Sequence, residues 1–355
     1  MLKDYIKTRI HVETRSSLEA HRDFIYVEVP TGQGNYSWRD MNGDGLQQPD
    51  EFFQAILPDE QNYIRIFVAT EERIPVYESI VRSEMLFKAP KSNEYNGFLT
   101  FFLSKITGLI SFQSIGKVLE GDVRSRVFSL SENLIEGDIL SGNRSTRARV
   151  YFNKENPVFN IEGGYHTNYT KNWVLRGFES RGNTIHDIKF RVSPVRNITF
   201  SIKGEEGRKR ALSDVYVSRT YSIGEKLFGN DITWTVSPSQ RVELGYDYKI
   251  KEEISGETPT AYHNDIHGGW SSVLSNNNSL KATFRWANIL YAGDKNTALS
   301  YELLEALQPG MNYLWSISWQ QKLSSDLFLM LMYNGRKGEN SNVIHRGNVR
   351  ISAVF

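Results

Sequence analysis

Residues 346–355 read RGNVRISAVF and carry a period-two pattern to the end of the sequence. Alternate positions divide into an apolar and a polar set, Val349, Ile351, Ala353 and Phe355 against Asn348, Arg350 and Ser352. A strand at a chain end must be paired, because its backbone polar groups are otherwise unsatisfied. One apolar face that ends on an aromatic residue is typical of the last strand of a bacterial outer-membrane barrel. The stretch therefore predicts a transmembrane β-strand.

The same period recurs along much of the sequence. Residues 241–250, RVELGYDYKI, place Val242, Leu244, Tyr246, Tyr248 and Ile250 on one face and Arg241, Glu243, Asp247 and Lys249 on the other. Similar segments occupy residues 187–192, 198–205, 280–286 and 313–319. A helix would scatter these residues over all its faces, because its period is 3.6. The pattern therefore predicts strands with one apolar and one charged face.

The connections between these segments alternate in length. Short ones, rich in Pro, Asn, Ser and Asp, lie at 153–158, 193–197, 237–240, 274–278 and 322–326. Longer polar ones lie at roughly 120–145, 168–183, 208–224, 251–261, 291–309 and 336–342. Outer-membrane barrels have short turns at the periplasmic end and long loops outside. We therefore predict an all-β fold, a transmembrane antiparallel up-and-down β-barrel of about 12 strands from Leu109 to Phe355, with 14 as the alternative.

Composition excludes several classes of protein. The chain has 355 residues, a formal net charge of +1, no cysteine and 18 Tyr, 19 Phe and 7 Trp. The near-zero charge and the lack of a basic stripe argue against a nucleic-acid partner. Without cysteine there is no disulfide and no thiolate metal site. The mean hydropathy of −0.45 is compatible with a barrel, because half of each strand faces a polar lumen.

Residues 1–95 read differently from the rest. They contain candidate strands at 9–14, 24–29 and 63–68, and KAPKSNEYNG at 88–97 is read as a linker. We therefore predict a small soluble, periplasmic β-domain at 1–95 and an outer-membrane barrel at 96–355. The first residues lack the apolar core of a signal peptide, which leads us to expect the C-terminal part of a longer protein.

The sequence DMNGDGLQQPDE, at 40–51, has the spacing of a calcium loop. Positions 1, 3, 5, 7, 9 and 12 of that loop are Asp40, Asn42, Asp44, Leu46, Gln48 and Glu51. Ca²⁺ takes six to eight oxygen ligands, and this spacing wraps them around one point, with Leu46 giving its carbonyl and Gly45 making the sharp turn. The flanking residues do not form a clear helix pair. We therefore predict a structural Ca²⁺ site; an acidic turn without metal is the alternative.

Two His/Asp clusters, His186–Asp187 and His263, Asp265 and His267, lie near strand ends, and His166 is similar. Such pairs could activate water in a barrel mouth. The simpler interpretation is polar wall residues, because alternate residues of such strands must face the lumen. We predict no catalytic residue. The predicted lumen face carries both signs, which suggests cross-strand pairs: Arg147, Arg149, Glu162, Lys189, Arg191, Lys203, Asp231, Arg241, Glu243, Lys281, Arg285 and Arg350.

Four stretches carry a resemblance to a known group of proteins. YSWRDMNGDGLQQPDEF (36–52), GFESR (177–181), SYELLEALQPG (300–310) and YNGRKGENSNVIHRGNVRISAVF (333–355) resemble the C-terminal region of large outer-membrane proteins of Bacteroidota. Those proteins have β-rich domains ahead of a barrel. The resemblance implies a lineage and a location in the outer membrane. It implies no particular activity.

Three functions are compatible with this sequence. The first is a non-enzymatic outer-membrane barrel that anchors or organises an envelope or surface assembly, or passes solutes. Its partners would be outer-membrane lipid and other envelope proteins. The second is an outer-membrane hydrolase with a His/Asp site at the barrel mouth, and the third is a soluble secreted β-protein that binds carbohydrate. We favour the first.

Overall fold

The computed structural model describes residues 5–89, 102–119, 139–174, 177–254, 259–274, 278–324 and 326–353, without the side chains of 21–22 and 69–72. Its strands are β1 (Ile6–Glu28), β2 (Tyr36–Trp38), β3 (Phe52–Gln54), β4 (Tyr63–Lys88), β5 (Ile106–Val118), β6 (Ile139–Phe152), β7 (Phe159–Val174), β8 (Gly177–Val195), β9 (Ile198–Ser213), β10 (Tyr221–Ser237), β11 (Gln240–Glu253), β12 (Thr260–Val273), β13 (Ser279–Tyr291), β14 (Gly310–Lys322), β15 (Leu327–Gly338) and β16 (Ile344–Ala353). One α-helix, α1 (Ala298–Leu303), is present in these ranges.

The strands form one sheet in chain order. Each strand from β4 to β16 pairs with the next in chain order, and β1 pairs with β4. The short strands β2 and β3 break the chain order, because they follow β4 in the sheet. All these ladders are antiparallel, so the predicted all-β up-and-down arrangement is confirmed. The 12 strands expected between Leu109 and Phe355 are β5 to β16, and β1 with β4 makes 14 long strands. In the described ranges, β16 pairs with β15 alone, so no ladder closes the sheet.

The connections lie at the predicted positions along the chain, but their lengths differ from the predicted lengths. At the short end, Asn153 adopts φ 61°, and the Asn156 side chain accepts the N–H of Val158 at 2.8 Å, which makes a tight turn. At the other end the strands run further than predicted. Between 168 and 183, β7 continues to Val174 and β8 begins at Gly177, so this loop prediction was wrong. The hydrogen bonds of a ladder need only backbone groups, so a strand can continue through polar residues. An apolar pattern in the sequence does not reveal such an extension.

The sheet is continuous across the predicted domain boundary. Residues Tyr77–Lys88 of β4 pair with Val118–Thr107 of β5, and β1 pairs with β4 along almost its whole length. Residues 6–88 thus supply two strands of the common sheet, which does not fit a separate small β-domain at 1–95. The interpretation relied on Pro-containing loops and the calcium-type motif, which turn out to lie in one long connection between two paired strands.

The two faces of the sheet differ as the period-two pattern predicts. On one face large apolar side chains are exposed on almost every strand, among them Ile110, Val150, Ile188, Ile202, Phe228, Leu244, Ile266, Phe284, Ile317, Val349 and Ile351. Leu244 is 59% exposed, whereas Asp247, three residues further along β11, is 9% exposed and pairs with Lys203 at 2.9 Å. We call these the outer face and the inner face.

The β1–β4 hairpin bends toward the inner face. Its register shifts between Ala20 and Arg22, and Arg22 meets Val174 of β7 in a single parallel bridge. Beyond the bend, residues 29–62 connect the two strands; we call them the inward segment. The segment contains β2, β3 and two 3-10 turns, Pro49–Glu51 and Pro58–Glu60. It packs on α1, as described below.

Two further observations concern membrane-related features. No helix in the described ranges is long and apolar enough to cross a bilayer. Residues 354–355, including the Phe355 of the predicted terminal pattern, lie outside the described residues, and β16 ends at Ala353.

Candidate functional site: an inward segment docked on a buried helix

The largest buried apolar cluster joins the inward segment to α1. Phe53 and Leu57 of the segment pack with Tyr301, Leu303, Leu304 and Leu307 and with the inner-face ends of β9 to β13. The rings of Phe53 and Tyr301 lie 5.2 Å apart. Aromatic burial of this kind contributes strongly to packing. The long-loop end of the sheet's inner side is therefore filled by the chain itself.

Tyr301 is the centre of the polar contacts in this cluster. Its side chain is 2% exposed, and its hydroxyl donates to the Glu60 carboxylate and accepts from the Ile56 N–H, both at 3.2 Å. The Arg39 guanidinium lies over its ring, 4.4 Å from the centroid. Burial and the nearby Glu60 raise the pKa of Tyr301 to about 12. The phenol is therefore neutral and acts as a hydrogen-bonding group.

Glu60 binds cations from two directions. Arg39 of the same segment donates to Glu60 Oε1 at 2.7 Å, and Arg336 of β15 donates to the same oxygen at 3.0 Å. Arg336 also pairs with Asp59 at 2.6 Å. These side chains are 13–33% exposed, so the pairs are partly shielded from water. Shielded Arg–carboxylate pairs are stronger than surface pairs, and they fix the segment to β15.

Two contacts hold the opposite side of the segment. Arg219, between β9 and β10, donates to the Phe52 carbonyl at 3.0 Å. Arg181 of β8 donates to the Gln54 side-chain oxygen of the segment at 3.3 Å. The segment therefore spans from β8 on one side to β15 on the other.

The helix α1 is specified locally. Thr297 caps its first turn, accepting the Ser300 N–H at 3.0 Å. After Leu304 the chain enters the left-handed region at Glu305 (φ 54°) and Ala306 (φ 61°). Neither residue is glycine, so this conformation costs free energy unless the surroundings hold it. Contacts of the Glu305 side chain provide such a hold.

Glu305 lies in a buried network of charges. It pairs with Lys249 at 2.9 Å, Lys251 at 3.0 Å and Arg285 at 2.7 Å, all on the inner face. Burial by itself would raise the pKa of this carboxyl, but Lys251, Lys249 and Arg285 hold the pKa well below its ordinary value of 4.5. The carboxylate is therefore ionised at neutral pH and anchors α1 to β11 and β13.

The structure gives the His/Asp candidates wall positions. His263 is fully buried, and its Nε2 lies 2.8 Å from the Leu303 carbonyl of α1. Asp265 is 1% exposed and pairs with Arg285 and Lys249. His267 lies 3.0 Å from Asp231. His263 and Asp265 are buried and support α1 from the inner face of the sheet, whereas His267 is partly exposed and lines a cavity on that face.

His186 and Asp187 lie on opposite faces of the sheet. His186 lies on the outer face, with its ring 4.9 Å from Tyr165. Asp187 lies on the inner face and pairs with Arg149, which also binds Glu162 at 3.0 Å. His166 Nδ1 is buried without a hydrogen-bond partner among the described groups. Neighbours in sequence therefore do not form a His/Asp pair here.

The calcium-type loop adopts a turn held by its own side chains. Asp40 accepts the N–H groups of Gly43 (2.7 Å) and Gly45 (2.9 Å), and both glycines have positive φ near 75°. Asp44 accepts the Leu46 N–H at 2.7 Å. Glu51 is buried, and its two oxygens accept Met41 N–H and the Trp38 indole N–H. Asp40 and Asp44 thus hold the turn, and Glu51 is turned to Trp38.

The donor set fits Ca²⁺ in part. Asp40, Asn42, Asp44 and Gln48 are oxygen donors on one short loop, which suits a hard cation. However, the side-chain amides of Asn42 and Gln48 now donate to Asp44 at 3.0 and 2.5 Å, so both would have to rotate to present oxygen. Among the described residues, no three His, Cys, Asp or Glu side chains converge on a metal-sized point. Calcium at Asp40, Asn42, Asp44, Leu46, Gln48 and Glu51 stays a prediction.

The sequence matches no protein-family model, and no curated protein matches it. The stretches behind the Bacteroidota resemblance do converge in space. Residues 36–52, 177–181 and 300–310 meet around the inward segment through Tyr301, Glu179 and Arg219. Sequence reasoning missed Tyr301, Glu60 and Arg336 as docking residues. The Thr297–Ser300 spacing of a helix cap was the available signal for α1.

Proposed function

We propose that this chain is a non-enzymatic outer-membrane β-barrel that anchors or organises an envelope or surface assembly. The observation that carries the proposal is the outer face, on which large apolar side chains are exposed from strand to strand, up to 67% at Val349. The inner face instead carries charged pairs such as Arg149–Asp187 and Arg285–Asp265. Lipid outside and polar groups inside is the expected division in a membrane barrel.

Closure of the barrel is part of this proposal. A free strand edge exposes unpaired backbone groups, which a bilayer does not tolerate. With 14 long strands, β1 and β16 run antiparallel to each other. We therefore propose that the free edge of β1 pairs with the free edge of β16 in the membrane.

The filled interior favours anchoring over free passage of solutes. The inward segment occupies the long-loop end, which is extracellular in outer-membrane barrels. This proposal places residues 29–62 in the outer half of the lumen, instead of the periplasmic location expected for residues 1–95. Burial of His263 and Asp265 argues against a hydrolase that uses these two residues, because a substrate could not reach them.

The proposal can be tested in the natural background, because the chain has no cysteine. Val349→Cys is combined in turn with Thr8→Cys, Ile10→Cys and Val12→Cys, and protein in detergent micelles is oxidised. Neighbouring strands bring Cα atoms within the 4.4–6.8 Å that a disulfide needs. One pairing should cross-link within the monomer, whereas Val349→Cys with Ile188→Cys on β8 should not. Failure of all three pairs would contradict closure.

Membrane insertion needs a separate test. The refolded chain should remain soluble only with detergent or lipid, and it should migrate faster in denaturing gels before boiling than after, as compact barrels do. A chain that stays monomeric and soluble without detergent would instead support the secreted β-protein.

A further inference from the structure

A cavity of about 420 Å³ lies on the inner face beneath the inward segment. Its roof is Leu57, Pro58 and Asp59, and its wall is formed by inner-face residues of β11 to β16. We call it the lumen cavity. The volume lies within the range of small-molecule sites. Binding of a ligand in this cavity would be a function in addition to anchoring.

The register arranges the wall of the cavity in cross-strand rows. Arg241, Ser271 and Lys281 are direct neighbours on β11, β12 and β13. The next row toward the roof contains Glu243, Gly269, Thr283, Ser316, Asn334 and Arg346. Because neighbouring strands lie about 4.8 Å apart, the long side chains of Arg241 and Lys281 can reach one ligand. The rows bring cations to the short-turn end and to the roof.

The charges around the cavity do not balance. Its lining contains five cations, Arg241, Lys281, Arg285, Arg336 and Arg346, and two carboxylates, Asp59 and Glu243. Arg336 is paired with Asp59, and Arg285 with Asp265 and Glu305. Arg241 lies 3.7 Å from Glu243, but both side chains are more than half exposed, so this pair is weak.

Lys281 and Arg346 complete the excess of positive charge. Within the described part of the chain, no carboxylate lies within ion-pair distance of either one. Arg346 donates to the Thr31 carbonyl at 3.0 Å and to the Pro58 carbonyl, which leaves other guanidinium N–H groups available. Arg346 is half-buried and Lys281 is exposed, and a cluster of uncompensated cations on one wall attracts anions.

The middle of the wall leaves room for a ligand. Gly269 lies between Glu243 and Thr283 in the second row, and a Cβ added there would come no closer than 3.8 Å to other atoms. Leu57 and Leu314 provide apolar contact near the roof, whereas Arg241 and Glu243 show by their exposure that solvent reaches the short-turn end. The cavity thus has a polar entrance, a cationic wall and an apolar inner surface.

We propose that the lumen cavity binds a small organic oxyanion, a molecule with a phosphate or carboxylate group and an apolar body. Lys281 and Arg241 would hold the anionic group, since Arg and Lys make strong charge-assisted hydrogen bonds to such oxygens. The apolar body would lie over Gly269 toward Leu57 and Leu314.

The test is calorimetric titration of the full chain in detergent micelles with phenyl phosphate and, separately, benzoate. We expect saturable binding of at least one probe, weakened by salt. Lys281→Gln should lower the affinity at least tenfold. Lys295→Gln, in the loop before α1, should leave it unchanged. The relative affinity of the two probes distinguishes phosphate from carboxylate as the preferred group.

A steric pair of variants keeps the test independent of charge. Gly269→Met should project into the cavity where the apolar body would lie and weaken binding, whereas Gly269→Ala should retain it. Unboiled gel mobility reports whether each variant is folded. Absence of saturable binding by either probe would overturn the proposal, and so would equal losses in Lys281→Gln and Lys295→Gln.

Discussion

The hydroxyl group of Tyr301 donates a hydrogen bond to Glu60 at 3.2 Å, although 241 residues separate the two in sequence. Tyr301 belongs to a helix in the loop before β14, and Glu60 to the connection between β1 and β4. This bond therefore joins the beginning of the sheet to its last quarter across the inner side. Buried polar groups depend on such partners, so loss of one side leaves the other unsatisfied.

Tyr301→Phe should loosen the inward segment. The change removes one hydroxyl and leaves the Ile56 N–H and the Glu60 carboxylate without it, at a cost of about 1–3 kcal/mol. Cleavage of residues 29–62 by a protease should become faster in detergent-solubilised protein, while unboiled gel mobility stays unchanged. Tyr291→Phe, whose hydroxyl lies in an exposed loop contact, is the control. Equal cleavage rates in both variants would contradict the docking role.

Glu60 and Arg336 should be energetically coupled. Their contact at 3.0 Å is partly shielded, and Arg336 also binds Asp59. In a double-mutant cycle with Glu60→Gln and Arg336→Gln, we expect a coupling of about 0.5–3 kcal/mol in protection of the segment from proteolysis. Lys337→Gln, the neighbouring outer residue, serves in place of Arg336→Gln as the control cycle. An additive result for Glu60 and Arg336 would show that β15 does not hold the segment.

The sequence predicts the outer and inner faces of each strand but not the docking of the inward segment. Period two identifies Leu244 as outer and Asp247 as inner because each strand carries its own pattern. Contacts such as Tyr301–Glu60 leave no local pattern, since they depend on how a loop folds back over 241 residues. The Asn168–Asn183 pair shows a second limit: both residues are polar, so the extension of β7 and β8 has no apolar signature.

Residues 1–95 show what local sequence features do not reveal. The calcium-type loop and Pro30, Pro49 and Pro58 suggested an independent unit, and they lie within one connection, whereas Pro75 lies in β4. Strands β1 and β4 read as ordinary strands in isolation. Only the ladder between Ser83 and Phe112 and its neighbouring pairs reveals that they extend the larger sheet.

Acid should release α1 through Glu305. The folded pKa of this carboxyl lies below its ordinary 4.5, so the carboxylate stabilises the fold above that pH, and this stability is lost as the pH falls from 4.5 through the folded pKa. Hydrogen–deuterium exchange of residues 298–307, corrected for intrinsic rates, should therefore rise below pH 4.5. At pH 7, Glu305→Gln should cost about 1–3 kcal/mol, because Lys249, Lys251 and Arg285 lose the carboxylate they share and keep only Asp265 and Glu225 as partners.

The Glu305→Gln variant also tests whether Glu305 is the carboxyl group that makes α1 sensitive to acid. In Glu305→Gln, exchange in α1 should be fast at pH 7 and should lose its acid dependence. Glu339→Gln, at the exposed end of β15, should behave like the unchanged protein. If acid dependence persists in Glu305→Gln, another carboxyl controls the helix.

Charge at the outer face should prevent insertion. Ile317 is 46% exposed there, and its neighbour Ser316 lines the lumen cavity. An arginine at mid-bilayer costs about 2–4 kcal/mol on the lipid face and far less in the lumen. Ile317→Arg should therefore reduce refolding yield into vesicles much more than Ser316→Arg. Equal yields would mean that the outer face does not contact lipid.

Calcium should stabilise the inward segment if the loop at 40–51 binds it. Asp40, Asp44 and Glu51 place three negative charges within twelve residues, and a cation would convert their repulsion into coordination. Occupancy would stabilise the segment by about 2.7 kcal/mol at a hundredfold excess over the Kd. Because residues 6–88 belong to the common sheet, the test uses the full chain. Adding Ca²⁺ should slow proteolysis of residues 29–62, and a chelator should reverse it.

Two variants separate a site from a general charge effect. Asp44→Ala removes the carboxylate that now receives the Asn42 and Gln48 amides, and it should abolish the response to Ca²⁺. Asp50→Ala removes an equal charge from a position outside the ligand spacing and should keep the response. Binding requires the amides of Asn42 and Gln48 to turn their oxygens inward, so their side-chain N–H signals should shift on titration. Proteolysis that is the same in Ca²⁺ and in chelator would identify the motif as an acidic turn held by Asp40 and Asp44.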